Sequence, residues 1–545
     1  MKVESIDYRE LQGQNPLFLD YLHHYDRVDQ FYCSPVHLSL NHLKNRAEAV
    51  LERPPSYPRE LLVQLLTSFN QKIGAPEPVF RNIEKLRSTK TVVVVTGHQL
   101  GFFGGPCFLV YKTLTAVRLA QLLQDEGFSV VPVFWLASDD SDFEEVRSAS
   151  FFDPSGELFS VECPEPEKNG SRMVGTVSLK SVEGCLNALK EQGLRGQFYE
   201  QVLETLSQTY KAEGSFREAL AAWLHRLFPS QGLVIFDPLM AQYKAPLQQV
   251  LTAVIEERSA IVRALQKRSL ILEKNQFSPQ VQVGESESFI FWSEDRDRYK
   301  LEYEGGYYTS RKKPKWKFSA EDMLRRLRSE PEHCCPNVLL RPILQDHVFP
   351  TVTYVGGPSE VAYYSQVNAI SSFWNAEMEV FPRMGVTIVD RKSQRLLEKY
   401  GLQVSDVLNR SPQELASKVM SQTEAGDLLD GFAELEKDLL SRLKSLEIDL
   451  TKIDPTTAQL LEGVQSKIFY QLRKVQQRFV SNHRIRKADF GRHLDHLCGR
   501  LAPGGKFQER TVNFNQFLSE EGPVLVESLL NVLNPFCLGH QVVYL

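Results

Sequence analysis

The sequence predicts an α/β chain: a Rossmann-like core domain with inserted subdomains, followed by an α-helical antiparallel coiled coil. Three observations carry that prediction. Apolar, β-branched runs without polar alternation recur, as at Thr91–Thr96 and Val130–Leu136. Such runs suit strands buried on both faces of a parallel sheet. Two strand-like runs lead into a Gly-Gly-Pro turn and then a helical pattern, at Gly104-Gly105-Pro106 and Gly356-Gly357-Pro358. Proline is well placed at the first helical position, where its missing N–H would have no partner in the helix. Near the C-terminus, two charged stretches carry narrow apolar seams at helical spacing.

Composition narrows the function classes. The chain has 545 residues, 42% hydrophobic and 24% charged, an ordinary globular balance with room for roughly two to four domains. Its net charge of −5 and pI near 6.2 give no global reason to expect nucleic acid or an anionic membrane as partner. No apolar run reaches bilayer-spanning length and the N-terminus lacks a signal-peptide core, so a soluble, cytoplasmic protein is expected. Eight cysteines without a C-x-x-C spacing argue against a disulfide framework or a structural zinc module. No metal site is assigned. His493, His496 and Cys498 lie close enough to hold a metal, but they also fit a solvated helix face.

The elements follow in order. Residues 1 to 90 read as mainly helical, with helices at His37–Leu51 and Arg59–Asn70. Thr91 to Glu145 reads as strand, Gly-rich turn, helix, strand and acidic turn. Phe108, Tyr111, Leu114, Val117 and Leu122 give its helix a wide apolar face. Residues from about 150 to 228 read as an insertion, and Gly232–Pro238 as a return to the sheet. Pro246–Lys274 reads as one helix. A second insertion of β-hairpins spans about 275 to 335. Asn337–Arg341 reads as a buried strand ending in a charge, with Gln345 and Asp346 in the loop after it. Thr351–Gly356 repeats the strand-turn-helix grammar, and Val386–Val389 is a last short strand. The division falls at 1–384 for the core domain and 385–545 for the coiled-coil domain. In the latter, Phe432, Leu435, Leu439, Leu443, Leu446, Leu450 and Ile453 form one seam. Leu461, Val464, Ile468, Leu472, Val475 and Phe479 form the second. Their narrowness, with charged flanks, favours a projecting coil that dimerises.

Candidate site residues cluster at the expected carboxyl edge of the sheet, where such folds bind ligands. Thr96, Gly97, His98, Gln99, Gly104 and Gly105 would line a crevice and offer backbone donors. Asp139, Asp140 and Asp142 are three carboxylates in four residues. They repel one another unless a cation, an ammonium group or a donor network is present, and a solvated helix-capping loop is the alternative. Arg341, with Gln345 and Asp346 beyond it, would meet a carboxylate or phosphate. The helix start at Gly356, Gly357 and Glu360 could cradle an anion or be a turn used twice. Lys392, after the last strand, could hold phosphate or face water.

The segments TGHQLGFFGGP (96–106), PVFWLASDDSDFEEV (132–146), LLRPILQDHVFPTVTYVGGPSEVAYYSQ (339–366) and GGKFQERTVNF (504–514) resemble the BshC family, the cysteine-adding enzymes of bacillithiol biosynthesis. The resemblance spans essentially the whole chain in order. It implies a core similar to class I nucleotidyltransferases and aminoacyl-tRNA synthetases, and a homodimer through the coil. It also implies a ligase that joins the cysteine carboxyl to the amine of glucosaminyl malate. Activating a free carboxylate needs energy, so ATP is the expected cosubstrate, through an adenylate or an acyl phosphate. On this reading Asp139, Asp140 and Asp142 hold an amino group. Arg341 and the Gly356-Gly357-Pro358 helix start hold a malyl carboxylate, and Lys392 and Arg510 the nucleotide phosphates. Two departures stand out: Ser141 occupies a position where the family commonly has His, and His98 one where many relatives have Gln. A nucleotidyltransferase-like enzyme acting on another small acid, and a non-catalytic coiled-coil scaffold, are the alternatives.

Overall fold

The structure, a computed structural model, describes residues 1–33, 38–164, 171–240, 243–421, 426–486 and 488–545. Contacts divide it into two units. The first holds residues 3–386 and 509–541, and the second holds 387–508 and 542–545.

The first unit is built on strands β1 (Thr91–His98), β2 (Ser129–Leu136) and β3 (Val234–Phe236). Next comes an inserted antiparallel sheet of β4 (Glu287–Glu294), β5 (Asp297–Glu304), β6 (Tyr307–Ser310), β7 (Lys313–Ser319) and β8 (Cys334–Pro336). The chain then returns as β9 (Thr351–Gly356) and β10 (Val380–Pro382). The central sheet has the order β10-β9-β1-β2-β3, and every pair in it is parallel. Val92 to Val95 and Val130 to Leu136 are buried throughout. This is why these runs lack alternation. In the sheet Val355 lies beside Thr96, and Gly97 beside Trp135. The carboxyl ends of β9, β1 and β2 therefore share one edge. Gly97 is required there, since an added Cβ would lie 2.6 Å from the Trp135 carbonyl oxygen.

Helix α1 (Cys107–Asp125) follows β1 and is buried on nearly every side. Ala116, Leu119, Ala120 and Leu123 pack on Val92, Val94 and Val130. Each such Val or Leu side chain contributes about 1.5–3 kcal/mol when fully covered. The other helices that shape the site are α2 (Phe143–Val146), α3 (Arg341–Val348) and α4 (Pro358–Val367).

Several expectations change. Asn337–Arg341 is not a strand. The Asn337 side chain accepts hydrogen bonds from the Leu339 and Leu340 N–H groups, both at 3.1 Å, and Pro342 sits in the first turn of α3. The Asn337 side chain holds the turn that leads in, and an early proline suits a helix start, so Arg341 opens α3 rather than ending a strand. Gln345 and Asp346 accordingly lie on this helix and not in a loop. Pro246–Lys274 is broken at Glu257 into helices Gln248–Glu256 and Arg258–Lys274. The helix expected from His37 runs from Leu40 to Leu51, and His37 lies outside the described residues. By their contacts, residues 509–541 of the C-terminal stretch group with the first unit. Val512, Phe514 and Phe517 are fully buried, and burying them gives this segment its place in the core.

In the second unit, α5 (Gly426–Ile453) and α6 (Pro455–Arg486) form the two arms of the coil. Asp454 caps the second arm, accepting from Thr456 N–H at 3.0 Å and Thr457 N–H at 3.2 Å. Arg473 bridges the arms to Glu436 at 2.9 Å. Leu435, Leu446, Val464 and Val475 remain largely exposed along the seams.

Candidate active site

A cleft of about 730 Å³ opens where β1, β2 and β9 end. Gly97, His98 and Gln99 come from β1 and its exit, Asp140 from the turn after β2, and Arg341 and Gln345 from α3. The inserted sheet adds Glu287, Phe291, Arg298 and Lys300, and the C-terminal segment adds Arg510.

At the floor, Lys112 of α1 is 1% exposed. Its Nζ donates to the Gly97 carbonyl at 2.6 Å, to both Glu360 oxygens at 2.7 and 2.5 Å, and to Tyr354 Oη at 3.2 Å. Glu360 also accepts from the Gly357 N–H at 2.8 Å and from Tyr354 Oη at 2.6 Å. Burial opposes ionisation of the Glu360 carboxyl, but Lys112 and these donors outweigh it and hold the group below the usual range. Burial draws the Lys112 ammonium downward against the pull of Glu360. The anion at the second Gly-Gly-Pro helix start is thus the chain's own, so the Gly357 N–H is not free for a ligand. Gly356 is buried outside the cleft lining.

The first Gly-Gly-Pro turn is also committed internally. The Gly104 N–H donates to Tyr210 Oη at 2.7 Å. Its φ is +89°, and a Cβ there would lie 2.6 Å from the Trp223 ring. Gly105 packs on Gly101, and the Cys107 N–H at the start of α1 donates to the Val512 carbonyl at 2.9 Å. These glycines serve close packing, not ligand approach. Thr96 is likewise buried, its Oγ1 donating to the Val355 carbonyl at 3.1 Å.

The three aspartates separate. Asp139 is 1% exposed, with Arg341 Nη2 at 3.9 Å. Asp140 faces the cleft. Its Oδ1 accepts from Arg298 Nη2 at 3.0 Å and from the Ser141 N–H at 2.7 Å, and its Oδ2 from Gln99 Nε2 at 3.4 Å. Burial pushes its carboxyl up, but Arg298 and Arg341 outweigh that and lower it. Asp142 is exposed and caps α2 by accepting from the Glu145 N–H at 3.3 Å. A shared ammonium cage is therefore replaced by one buried ion pair, one cleft ion pair and one helix cap.

Asp346 leaves the site altogether. It lines a separate small cavity with Arg53 at 3.7 Å, and burial, only partly offset by Arg53, pushes its carboxyl up to about 7. Lys392 is exposed at the start of helix Arg391–Tyr400 in the second unit and does not line the cleft. Arg510 does line it, with its guanidinium 5.0 Å from the Phe108 ring centre.

His98 Nδ1 lies 3.1 Å from the Gln99 carbonyl oxygen. A carbonyl only accepts, so this bond assigns the proton to Nδ1 and leaves Nε2 as an acceptor. Burial, reinforced by Lys112, holds the imidazole down at about 4. His98 is neutral at pH 7.

Several residues that line the cleft carry unmade hydrogen bonds. Among the described residues, Arg298 Nε and Nη1, Arg341 Nε and Trp135 Nε1 are buried donors without a hydrogen-bond partner. A carboxylate or phosphate could take them, and leaving them empty costs desolvation energy. Sequence reading missed Lys112, Arg298, Tyr354, Glu287, Lys300 and Glu145. Lys112 did carry a signal, as a lone cation in the apolar helix run FLVYKTLTAV. Arg298 carried none, since EDRDRYK reads as an ordinary charged hairpin.

Two family models match the chain. "Bacillithiol biosynthesis BshC, N-terminal Rossmann-like domain" covers residues 1–384, and "Bacillithiol biosynthesis BshC, C-terminal coiled-coil domain" covers 386–545. Curated relatives are similar over almost their full length. A protein of Salinibacter ruber named "Putative cysteine ligase BshC" is 30% identical over 530 residues, 97% of this chain and 96% of that one. Proteins of the same name are 29% identical in Koribacter versatilis, covering 99% of both chains, and 29% in Solibacter usitatus, covering 98% of both.

Proposed function

The chain belongs to the BshC family of bacillithiol biosynthesis, and on that premise we propose that it is a cysteine ligase. It joins the carboxyl of cysteine to the amine of glucosaminyl malate in the last step of that pathway. The observation that carries the reading is the cleft at the carboxyl edge of the sheet, with its unfilled cationic donors on Arg298 and Arg341. The substrates on this reading bring carboxylates, and a guanidinium binds a carboxylate through paired, charge-assisted hydrogen bonds.

A free carboxylate is a poor electrophile at neutral pH, so the reading includes ATP as cosubstrate. A cysteine carboxylate oxygen attacks phosphorus. Attack at the α position releases pyrophosphate and gives an adenylate; attack at the γ position releases ADP and gives an acyl phosphate. The amine then displaces the phosphate group. The exposed apolar seams of α5 and α6 support a second part of the proposal, that two chains associate through the coil.

The test is purified protein with cysteine, glucosaminyl malate and ATP, following amide product by mass and nucleotide products by chromatography. Amide with AMP means an adenylate, and amide with ADP means an acyl phosphate. Nucleotide transfer to another acid, or no amide at all with intact substrates bound, overturns the ligase reading.

A further inference from the structure

Four carboxylates line the cleft: Asp140, Glu145, Glu287 and Glu360. Three already have a cation. Asp140 pairs with Arg298 at 3.0 Å, Glu287 with Lys300 at 2.9 Å and Glu360 with Lys112 at 2.5 Å. Among the described residues Glu145 has no ion-pair partner, and its side chain is exposed to the cleft. Its polar neighbour is the Gln99 amide, which also donates to Asp140. The charged groups that act on it are Asp142 and Asp140, both from its own turn and both acidic. Arg298, the cleft cation nearest in role, is held by Asp140, and among the described residues no ion pair neutralises Glu145.

We propose that Glu145 is a catalytic residue of the amide-forming step: it receives the ammonium group of the amine substrate and takes its proton as the nitrogen attacks. The proposal rests on the ligase reading above. The step balances as follows. The ammonium N–H bond breaks and its proton passes to the Glu145 carboxylate. The freed lone pair forms the C–N bond to the activated cysteine carboxyl carbon. The bond from that carbon to the phosphate oxygen breaks, and the oxygen keeps the electron pair. The second N–H proton leaves with the released phosphate or nucleoside monophosphate.

The surroundings suit a base. Desolvation in the cleft wall, together with Asp142 and Asp140, pushes the Glu145 carboxyl above the usual range against the Gln99 hydrogen bond. Asp140 is lowered by its cations. Two neighbouring acids with environments that push them apart are a common basis for dividing acid–base roles. Gln99 donates to Asp140 and also acts on Glu145. Asp140 then acts as the anchor for Arg298 and Glu145 as the group that moves a proton.

The experiment has two arms. In the first, amide formation is followed against pH for the native protein, Glu145→Gln and Glu145→Asp. Glu145→Gln should lose about 10²–10⁴-fold in kcat, the range of general base catalysis, and lose the acid limb of the profile, while Glu145→Asp retains that limb. In the second, calorimetry without ATP compares glucosaminyl malate with its N-acetylated form. The native protein should prefer the free amine by about tenfold, as one charge-assisted hydrogen bond allows, and Glu145→Gln should show no preference. A Glu145→Gln variant with native kcat and an unchanged acid limb, or with the native preference for the amine, overturns the proposal. If the native protein makes no amide, the ligase reading fails separately, and the calorimetric arm alone decides whether Glu145 receives an ammonium group.

Discussion

Lys112 Nζ lies 2.5 Å from Glu360 Oε2, joining the helix that follows β1 to the helix that follows β9. The pair supplies the second Gly-Gly-Pro turn with the anion it lacks. Glu360 fills the donor at the start of α4, and Lys112 carries the balancing charge beneath the cleft. Replacing Lys112 with Met leaves the Glu360 carboxylate without its cation, held only by the Gly357 N–H and Tyr354 Oη. Removing one member of a buried ion pair costs about 3–5 kcal/mol, and Glu360 keeps some solvent contact, so a loss near the lower end, about 3 kcal/mol, is expected. Chemical denaturation measures it. The double variant Lys112→Met/Glu360→Gln should regain part of that loss. A single variant as stable as the native protein would mean that the pair contributes nothing net.

Gly104 serves packing. With φ at +89° and Trp223 2.6 Å from an added Cβ, Gly104→Ala meets both backbone strain and overpacking, each costing about 1–3 kcal/mol. The melting temperature should fall. A variant that keeps its stability but loses affinity for substrates would return this glycine to the ligand.

Arg341 separates charge from geometry. Lysine keeps the charge but not the planar fork that meets a carboxylate in two places. Arg341→Lys should impair use of glucosaminyl malate more than use of an analogue without the malyl carboxylates. Steady-state kinetics on both compounds decides it. Equal impairment assigns Arg341 to the nucleotide or to Asp139.

His98 sets a pH dependence with a definite sign. Its imidazole is held at about 4 in the folded protein against 6.5 ordinarily. Between those values the unfolded chain binds the proton and the folded chain does not. Stability contributed by the neutral ring is complete above about pH 6.5 and is lost as the pH falls toward about 4. His98→Gln should flatten the fall in unfolding free energy over this window by one proton's slope. The same slope in variant and native protein would show that His98 titrates normally.

The coil gives a fifth expectation. Leu446 is 48% exposed on α5 although it belongs to the seam, as does half-buried Leu443. If two chains bury these seams, Leu443→Glu with Leu446→Glu places charge in that contact and yields monomer in sedimentation velocity. A double variant that stays dimeric at low concentration places the interface elsewhere.

What the sequence determined by itself was local. The unbroken β-branched runs of Thr91–Thr96 and Val130–Leu136 marked strands covered on both faces, because only such strands need no polar alternation. Pro106 and Pro358 marked helix starts, because proline has no N–H to lose there. The narrow seams from Phe432 to Phe479 marked the two arms of the coil, and the long motifs marked the family. The tertiary structure decided which charges meet. Asp139, Asp140 and Asp142 look alike in sequence, yet β2 ends so that one is buried, one faces the cleft and one caps a helix. Arg341 followed an apolar run and read as the end of a strand, until the Asn337 side chain and Pro342 turned that run into a helix. Lys112 and Glu360 are 248 residues apart, as are partners in no periodic pattern. Arg298 reaches Asp140 from an inserted sheet, 158 residues away. Periodicity reports which face of an element is covered; it carries no information on which distant element covers it, and electrostatic partnership depends on that alone.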